Sequence, residues 1–253
     1  MSEPTPGAAE QAPPVCPRHP DRVSYVRCQR CERPTCPQCQ VPAPVGVLCV
    51  DCARAADQAA RSSRNSLGFK RGSSKPYLTY GLIAANVVFY LYGMSTGMRD
   101  WQITYGFAPV LADEWYRWIT SGFVHAGLVH IALNMYMLFQ FGTQLEQVIG
   151  RWRFAVLYVI SLIGGSVTIN MLGASNSLHV GASGAIFGLF AAFGLLLYKL
   201  KLPWQSLAMT AGIWLVAGFF ISGISWEGHL GGAIAGGAVM GAMLALRRAR
   251  PQP

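Results

Sequence analysis

Between positions 76 and 246 the chain runs for 171 residues with only 11 charged side chains: Arg99, Asp100, Asp113, Glu114, Arg117, Glu146, Arg151, Arg153, Lys199, Lys201 and Glu227. A stretch this long and this poor in charge can be neither a water-exposed globule nor a disordered chain, because too much apolar surface would stay wet. It reads as the membrane part of an all-α polytopic protein. The rest has the opposite character. Residues 1–75 hold all seven cysteines and 11 of the 20 Lys and Arg side chains. The formal charge of +9 is accounted for by basic flanks on membrane helices and calls for no nucleic-acid partner.

A hydrocarbon core of about 30 Å takes about 20 apolar residues per helix. Six stretches qualify, near 77–95, 124–149, 154–173, 182–200, 204–223 and 226–246, each bounded by Gly, Pro or charge. No apolar run of signal-peptide type opens the chain. Lys/Arg bias sets the orientation. One side carries Arg61, Arg64, Lys70, Arg71, Lys75, Arg151, Arg153, Lys199, Lys201, Arg247, Arg248 and Arg250, and the other only Arg99 and Arg117. The positive-inside rule therefore puts both termini in the cytoplasm of a multi-pass plasma-membrane protein. Trp101, Tyr105, Trp115, Tyr116 and Trp118 give residues 96–123 the aromatic character of a segment partly embedded in the outer interface.

The domain boundaries expected from composition are a disordered N-terminus at 1–14, a metal-binding head at 15–53, a flexible tether at 54–75, the membrane domain at 76–247 and a short cytoplasmic tail at 248–253. In the head, potential ligands fall in four pairs with two residues between partners: Cys16 and His19, Cys28 and Cys31, Cys36 and Cys39, Cys49 and Cys52. This spacing lets both side chains of a pair turn onto one ion, and eight ligands fill two closed, structural zinc sites. His19 cannot form a disulfide, and cytoplasmic thiols stay reduced. So few residues bury little core, so metal would have to stabilise the fold. The pattern resembles a B-box-type or double zinc-ribbon finger. Both a cross-braced pairing and a sequential one satisfy the spacing. The partner of the head is not written in the sequence.

Ionisable groups inside membrane spans are expensive and mark functional sites by default. His130 and Asn134 fall early in the second apolar stretch, Ser183 early in the fourth and His229 early in the sixth. At 1.5 Å per residue all four should lie within about 10 Å of the outer boundary. Small residues at Gly181, Gly184 and Gly188, and at Gly228, Gly232 and Gly236, would let the fourth and sixth helices approach closely. His179 reads as a solvent-facing loop residue.

Four segments together resemble the rhomboid family of intramembrane serine proteases. They are Gly181-Ala182-Ser183-Gly184 with Phe187; Gly228-His229-Leu230-Gly231-Gly232; His125 through Asn134; and Glu114-Trp115-Tyr116-Arg117. The resemblance covers about 76–246 and excludes the head. It implies a six-helix rhomboid-type bundle and a serine endopeptidase with a Ser183–His229 dyad. It also implies an oxyanion site made of Asn134, His130 and the Ser183 backbone N–H. Gly181, Phe187, Arg117 and His125 would support these groups, with Arg117 anchoring the first loop. The implied substrates are single-span membrane proteins cut near the outer leaflet, with no cofactor for catalysis. Alternatives are an inactive relative that only binds membrane clients, and a transporter; no internal repeat supports the transporter.

Overall fold

The computed structural model describes residues 12–43, 46–62, 69, 75–221 and 223–248. The chain divides into two compact units, Met1–Ser63 and Arg64–Pro253.

The first unit is built from two short antiparallel hairpins and one helix. Strand β1 (Val15–Cys16) pairs with β2 (His19–Val23), and β3 (Gln40–Ala43) pairs with β4 (Gly46–Cys49), with Gln40 opposite Cys49. Helix α1 follows at Val50–Ser62. It therefore occupies 54–62, where a flexible tether was expected. The Ala-rich sequence with Arg and Gln has good intrinsic helix propensity, and Asp51 sits favourably in the first turn. Most of the expected disordered N-terminus, the rest of the tether and nearly all of the expected tail lie outside the described residues.

The second unit is a helical membrane bundle. Its elements are α2 (Tyr77–Thr96), α3 (Met98–Tyr105), α4 (Arg117–Thr120), α5 (Leu128–Met137), α6 (Thr143–Ile149), α7 (Arg151–Leu172), α8 (Ser183–Lys199), α9 (Gln205–Ala217) and α10 (Trp226–Arg248). A π-helical turn at Leu138–Gly142 joins α5 to α6 into one rod. Helices α2, α7 and α10 are each long and apolar enough to cross a membrane, and the rod α5–α6 qualifies with the segment Arg117–Phe123 that precedes it, bent from it by 97°. The other two expected spans are shorter apolar helices, α8 with 17 residues and α9 with 13. At 1.5 Å per residue α9 is only about 20 Å long. The reason lies in its end: Gly218, Gly223 and a run of turns after Ala217 break the helix before the apolar sequence stops.

Three helices pack by backbone contact. A Cβ on Gly232 of α10 would lie 1.9 Å from the Gly184 carbonyl oxygen of α8, and one on Gly236 would lie 2.4 Å from Gly188 Cα. Helix α7 joins them through Gly164 and Gly165, where a Cβ would come within 3.0 Å of the Gly231 and Gly228 carbonyl oxygens. This is the small-residue packing that membrane helices use in place of a hydrophobic driving force. At the opposite end of the bundle, buried Glu146 accepts hydrogen bonds from the Leu78 and Thr79 amides (3.1 and 2.8 Å) and the Thr79 hydroxyl (2.8 Å). It thus satisfies donors that the first turn of α2 leaves unpaired.

Candidate active site

Ser183 is the first residue of α8, directly after a turn in which Gly181 has φ +119°. A side chain at 181 would be strained there, and its Cβ would also meet the His130 ring at 2.7 Å, so the turn requires glycine twice over. The Gly181 amide donates to the Ser121 carbonyl oxygen (2.9 Å), which fixes the turn against the segment before α5. Phe187 lies one turn after Ser183 on the same face of α8. Its ring stacks flat on the buried His229 ring of α10, with centroids 3.9 Å apart and planes 9° apart. His229 Nδ1 is buried without a hydrogen-bond partner, and no hydrogen bond joins the Ser183 hydroxyl to the His229 ring. Ser183 and His229 lie on the closely packed helices α8 and α10, with the Phe187–His229 stack one turn of α8 beyond Ser183.

His130 and Asn134 are in the first two turns of α5. His130 Nδ1 accepts from the Ala126 amide (3.4 Å), which leaves its Nε2 as the donor of the neutral ring, on the side of the Gly181 turn. Asn134 Nδ2 gives one hydrogen to the His130 carbonyl oxygen (2.8 Å) and has a second to offer. The buried His125 ring packs against His130 with centroids 5.1 Å apart, and its carbonyl oxygen accepts from Gln102 Nε2 (3.4 Å). It thus ties α3 to the start of α5.

The first loop is stitched to the segment that carries Ser183. Phe107 and His179 exchange backbone hydrogen bonds (2.9 and 2.7 Å), and Val110 N–H donates to Ser175. Arg117 is buried and donates to the Ile103 and Gly106 carbonyl oxygens (2.7 and 2.8 Å), with Glu114 as its ion-pair partner at 3.1 Å. Tyr116, in the position next to Arg117, hydrogen-bonds Glu114. That bond and the Arg117 charge hold the Glu114 carboxyl below its usual range. His179 was expected to face solvent but is half-buried, with Nε2 2.8 Å from the Ser177 hydroxyl. Burial pushes its pKa down.

Sequence reasoning passed over three serines. Ser121, Ser166 of α7 and Ser225 line a small pocket with Ser183, Gly184, Gly228 and His179, of about 30 Å³. That is room for about one water molecule among polar partners. No spacing could have flagged them, because they come from three separate parts of the chain and meet Ser183 from a fourth. Ser225 also caps α10, accepting from the Gly228 amide at 3.2 Å.

In the first unit the structure chooses between the two pairings. Cys16, His19, Cys36 and Cys39 form one group and Cys28, Cys31, Cys49 and Cys52 the other, with ligand atoms in each group within 4.8 Å of one another. This is the cross-braced arrangement, in which the first and third pairs share one site and the second and fourth the other. The His19 Nδ1 atom is 3.3, 3.4 and 4.0 Å from the sulfurs of Cys36, Cys39 and Cys16. Such separations suit the edges of a tetrahedron around an ion with bonds of about 2.0–2.3 Å. Both clusters could hold a metal ion.

The second unit is thus a polytopic helical membrane unit with a serine and a histidine on apposed glycine-packed helices and polar side chains on a third. The rhomboid domain model matches residues 112–247, and the chain belongs to the rhomboid family. It is 31% identical over 191 residues to rhomboid protease GluP of Bacillus subtilis (strain 168), covering 70% of this chain and 36% of that protein. Over 127 residues it is 37% identical to rhomboid-type serine protease 2 of Emericella nidulans, covering 47% of this chain and 25% of the relative. It is also 29% identical over 126 residues to human rhomboid-related protein 3, covering 46% of this chain and 31% of that one. The matched regions thus span well under half the length of these relatives.

Proposed function

We propose that this chain is an intramembrane serine protease that cleaves single-span membrane proteins near the outer leaflet. The Ser183 hydroxyl attacks the scissile carbonyl, His229 takes its proton as general base and returns it to the leaving amine, and water then releases the acyl-enzyme. The second hydrogen of Asn134 Nδ2, His130 Nε2–H and the Ser183 backbone N–H stabilise the oxyanion. Phe187 holds the His229 ring, a task that a carboxylate performs in a three-member triad. Arg117 and His125 fix the first loop, and the small serine-lined pocket supplies a place for the hydrolytic water. The observation that carries this reading is the apposition of α8 and α10, which sets the Phe187–His229 stack one turn from Ser183. Both termini face the cytoplasm of a plasma membrane, so the released fragment is extracellular or periplasmic.

Because Ser183 and His229 are not hydrogen-bonded at rest, an inactive client-binding relative is the second reading. A mechanism-based serine probe on the purified protein separates the two. Labelling at Ser183 that disappears in Ser183→Ala and His229→Ala, with loss of cleavage of a model transmembrane substrate, is the expected result. Absence of labelling in a folded protein, or turnover retained in either variant, refutes the dyad.

The head holds two structural zinc ions and takes no part in the chemistry. The two four-ligand clusters support this role, since the ligand atoms of each lie within 4.8 Å of one another, with no ligand left over. Zinc stoichiometry measured on the purified chain tests it, with two per chain expected.

A further inference from the structure

Helices α8, α9 and α10 enclose an apolar groove of about 460 Å³. Phe187, Leu195, Leu207, Ala211, Ala233 and Gly237 form its walls, and Tyr198 and Trp204 line it near the α8–α9 turn. No residue of α9 is fully buried, and Leu207, Ala211 and Leu215 only partly pack against the core. In a bilayer such an opening would not fill with water, since apolar cavities stay dry. The material at hand is hydrocarbon.

The end of the groove at the α8–α9 turn has a second character. The turn Lys199–Trp204 links the two walls, and neither Lys199 nor Lys201 has a carboxylate partner among the described residues. Lys201 adopts φ +57°, which a non-glycine residue rarely does, and its amide donates to the Tyr198 carbonyl oxygen at 3.1 Å. The rings of Tyr198 and Trp204 meet edge to face with centroids 6.2 Å apart, as aromatic side chains do at headgroup level. The first turn of α9 adds backbone amides with no intrahelical partner.

We propose that this groove is a phospholipid site: one acyl chain lies between α8, α9 and α10, and the anionic headgroup is bound at the Lys199–Trp204 turn. Two cations on the turn between Tyr198 and Trp204, the lining residues at one end of a carbon-lined slot, match an anionic lipid better than a zwitterionic one. Because Phe187 is both a wall of the groove and the platform under His229, the lipid would also stiffen the site. That effect on turnover rests on the proposed dyad, whereas the binding does not.

The test is native mass spectrometry of the full chain, released from nanodiscs containing equal phosphatidylglycerol and phosphatidylcholine. One retained phosphatidylglycerol, favoured several-fold over phosphatidylcholine, is expected. In the Lys199→Gln/Lys201→Gln double variant the preference falls to parity. Ala211→Phe, which places a ring in the slot, removes the retained lipid while circular dichroism still reports the native helix content. Equal retention of the two lipids by the unmodified chain, or retention unchanged in both variants, overturns the site. Labelling of Ser183 by a serine probe is scored separately, so failure of the dyad and failure of the lipid site are distinguishable.

Discussion

The Phe187 ring covers the His229 imidazole face to face at 3.9 Å, so the orientation of the histidine is set by an apolar neighbour and not by a carboxylate. Aromatic ring pairs in favourable geometries contribute about 0.5–1.5 kcal/mol beyond the area they bury, which sets the scale for this contact. Phe187→Ala is therefore expected to lower kcat about 3- to 10-fold with little change in KM, while Phe187→Tyr keeps most of the activity. Steady-state cleavage of a model transmembrane substrate by both variants decides this. Equal loss in the two would mean that the stack does not orient His229.

Contact between α8 and α10 leaves no space for a methyl group at its centre. Gly232→Ala, whose Cβ would meet the Gly184 carbonyl oxygen at 1.9 Å, is expected to destabilise the bundle by about 2 kcal/mol or more. Gly237→Ala is the control, since its Cβ would lie 3.7 Å from Ala191, an ordinary contact. Its effect should stay within about 0.5 kcal/mol. Denaturant unfolding in detergent compares them.

Asp51 ties the two metal clusters together. It pairs with Arg18 (2.6 Å), which lies between ligands Cys16 and His19, and with Arg33 (3.5 Å). Arg33 Nε in turn donates to the Cys31 sulfur (3.3 Å). Groups that orient ligands from outside commonly contribute 10- to 100-fold in metal affinity. Asp51→Asn should lower zinc affinity by about 10-fold, measured by chelator competition, with rhomboid-domain helicity unchanged.

Acid should loosen the first loop through Glu114. The Tyr116 hydroxyl and the Arg117 guanidinium hold its carboxyl below the ordinary value of 4.5. A group lowered on folding contributes stability that is fully present above its unfolded pKa and lost as pH falls through the folded one. Stability should thus be flat above about pH 5 and decline below about 4.5. Glu114→Gln should remove that part of the decline, as read from Tm against pH.

Much of this protein could be read before any coordinates. The long charge-poor stretch required a membrane bundle, and apolar runs located its helices to within a few residues at α2, α7 and α10. These features depend on neighbours along the chain, and solvent or lipid acts on them locally. Hydropathy did not reveal the shortness of α9, because the glycine-containing turns after Ala217 are as apolar as the helix. Nor did composition show that α1 continues to Ser62, where Ala-rich sequence supports a helix or a tether.

Other features depend on residues far apart in sequence. Cysteine spacing defined four ligand pairs, yet only the two hairpins decide that Cys16 and His19 share a site with Cys36 and Cys39. The glycines of α8 and α10 advertise close packing, but which faces meet, and therefore that Phe187 lies on His229, follows from the three-dimensional interlock with α7. The serines at 121, 166 and 225 came together with Ser183 only in the folded bundle. Local chemistry and the surrounding solvent fix which segments become helices and which side chains can bind or react. Distances between those side chains are the product of packing, which no linear pattern encodes.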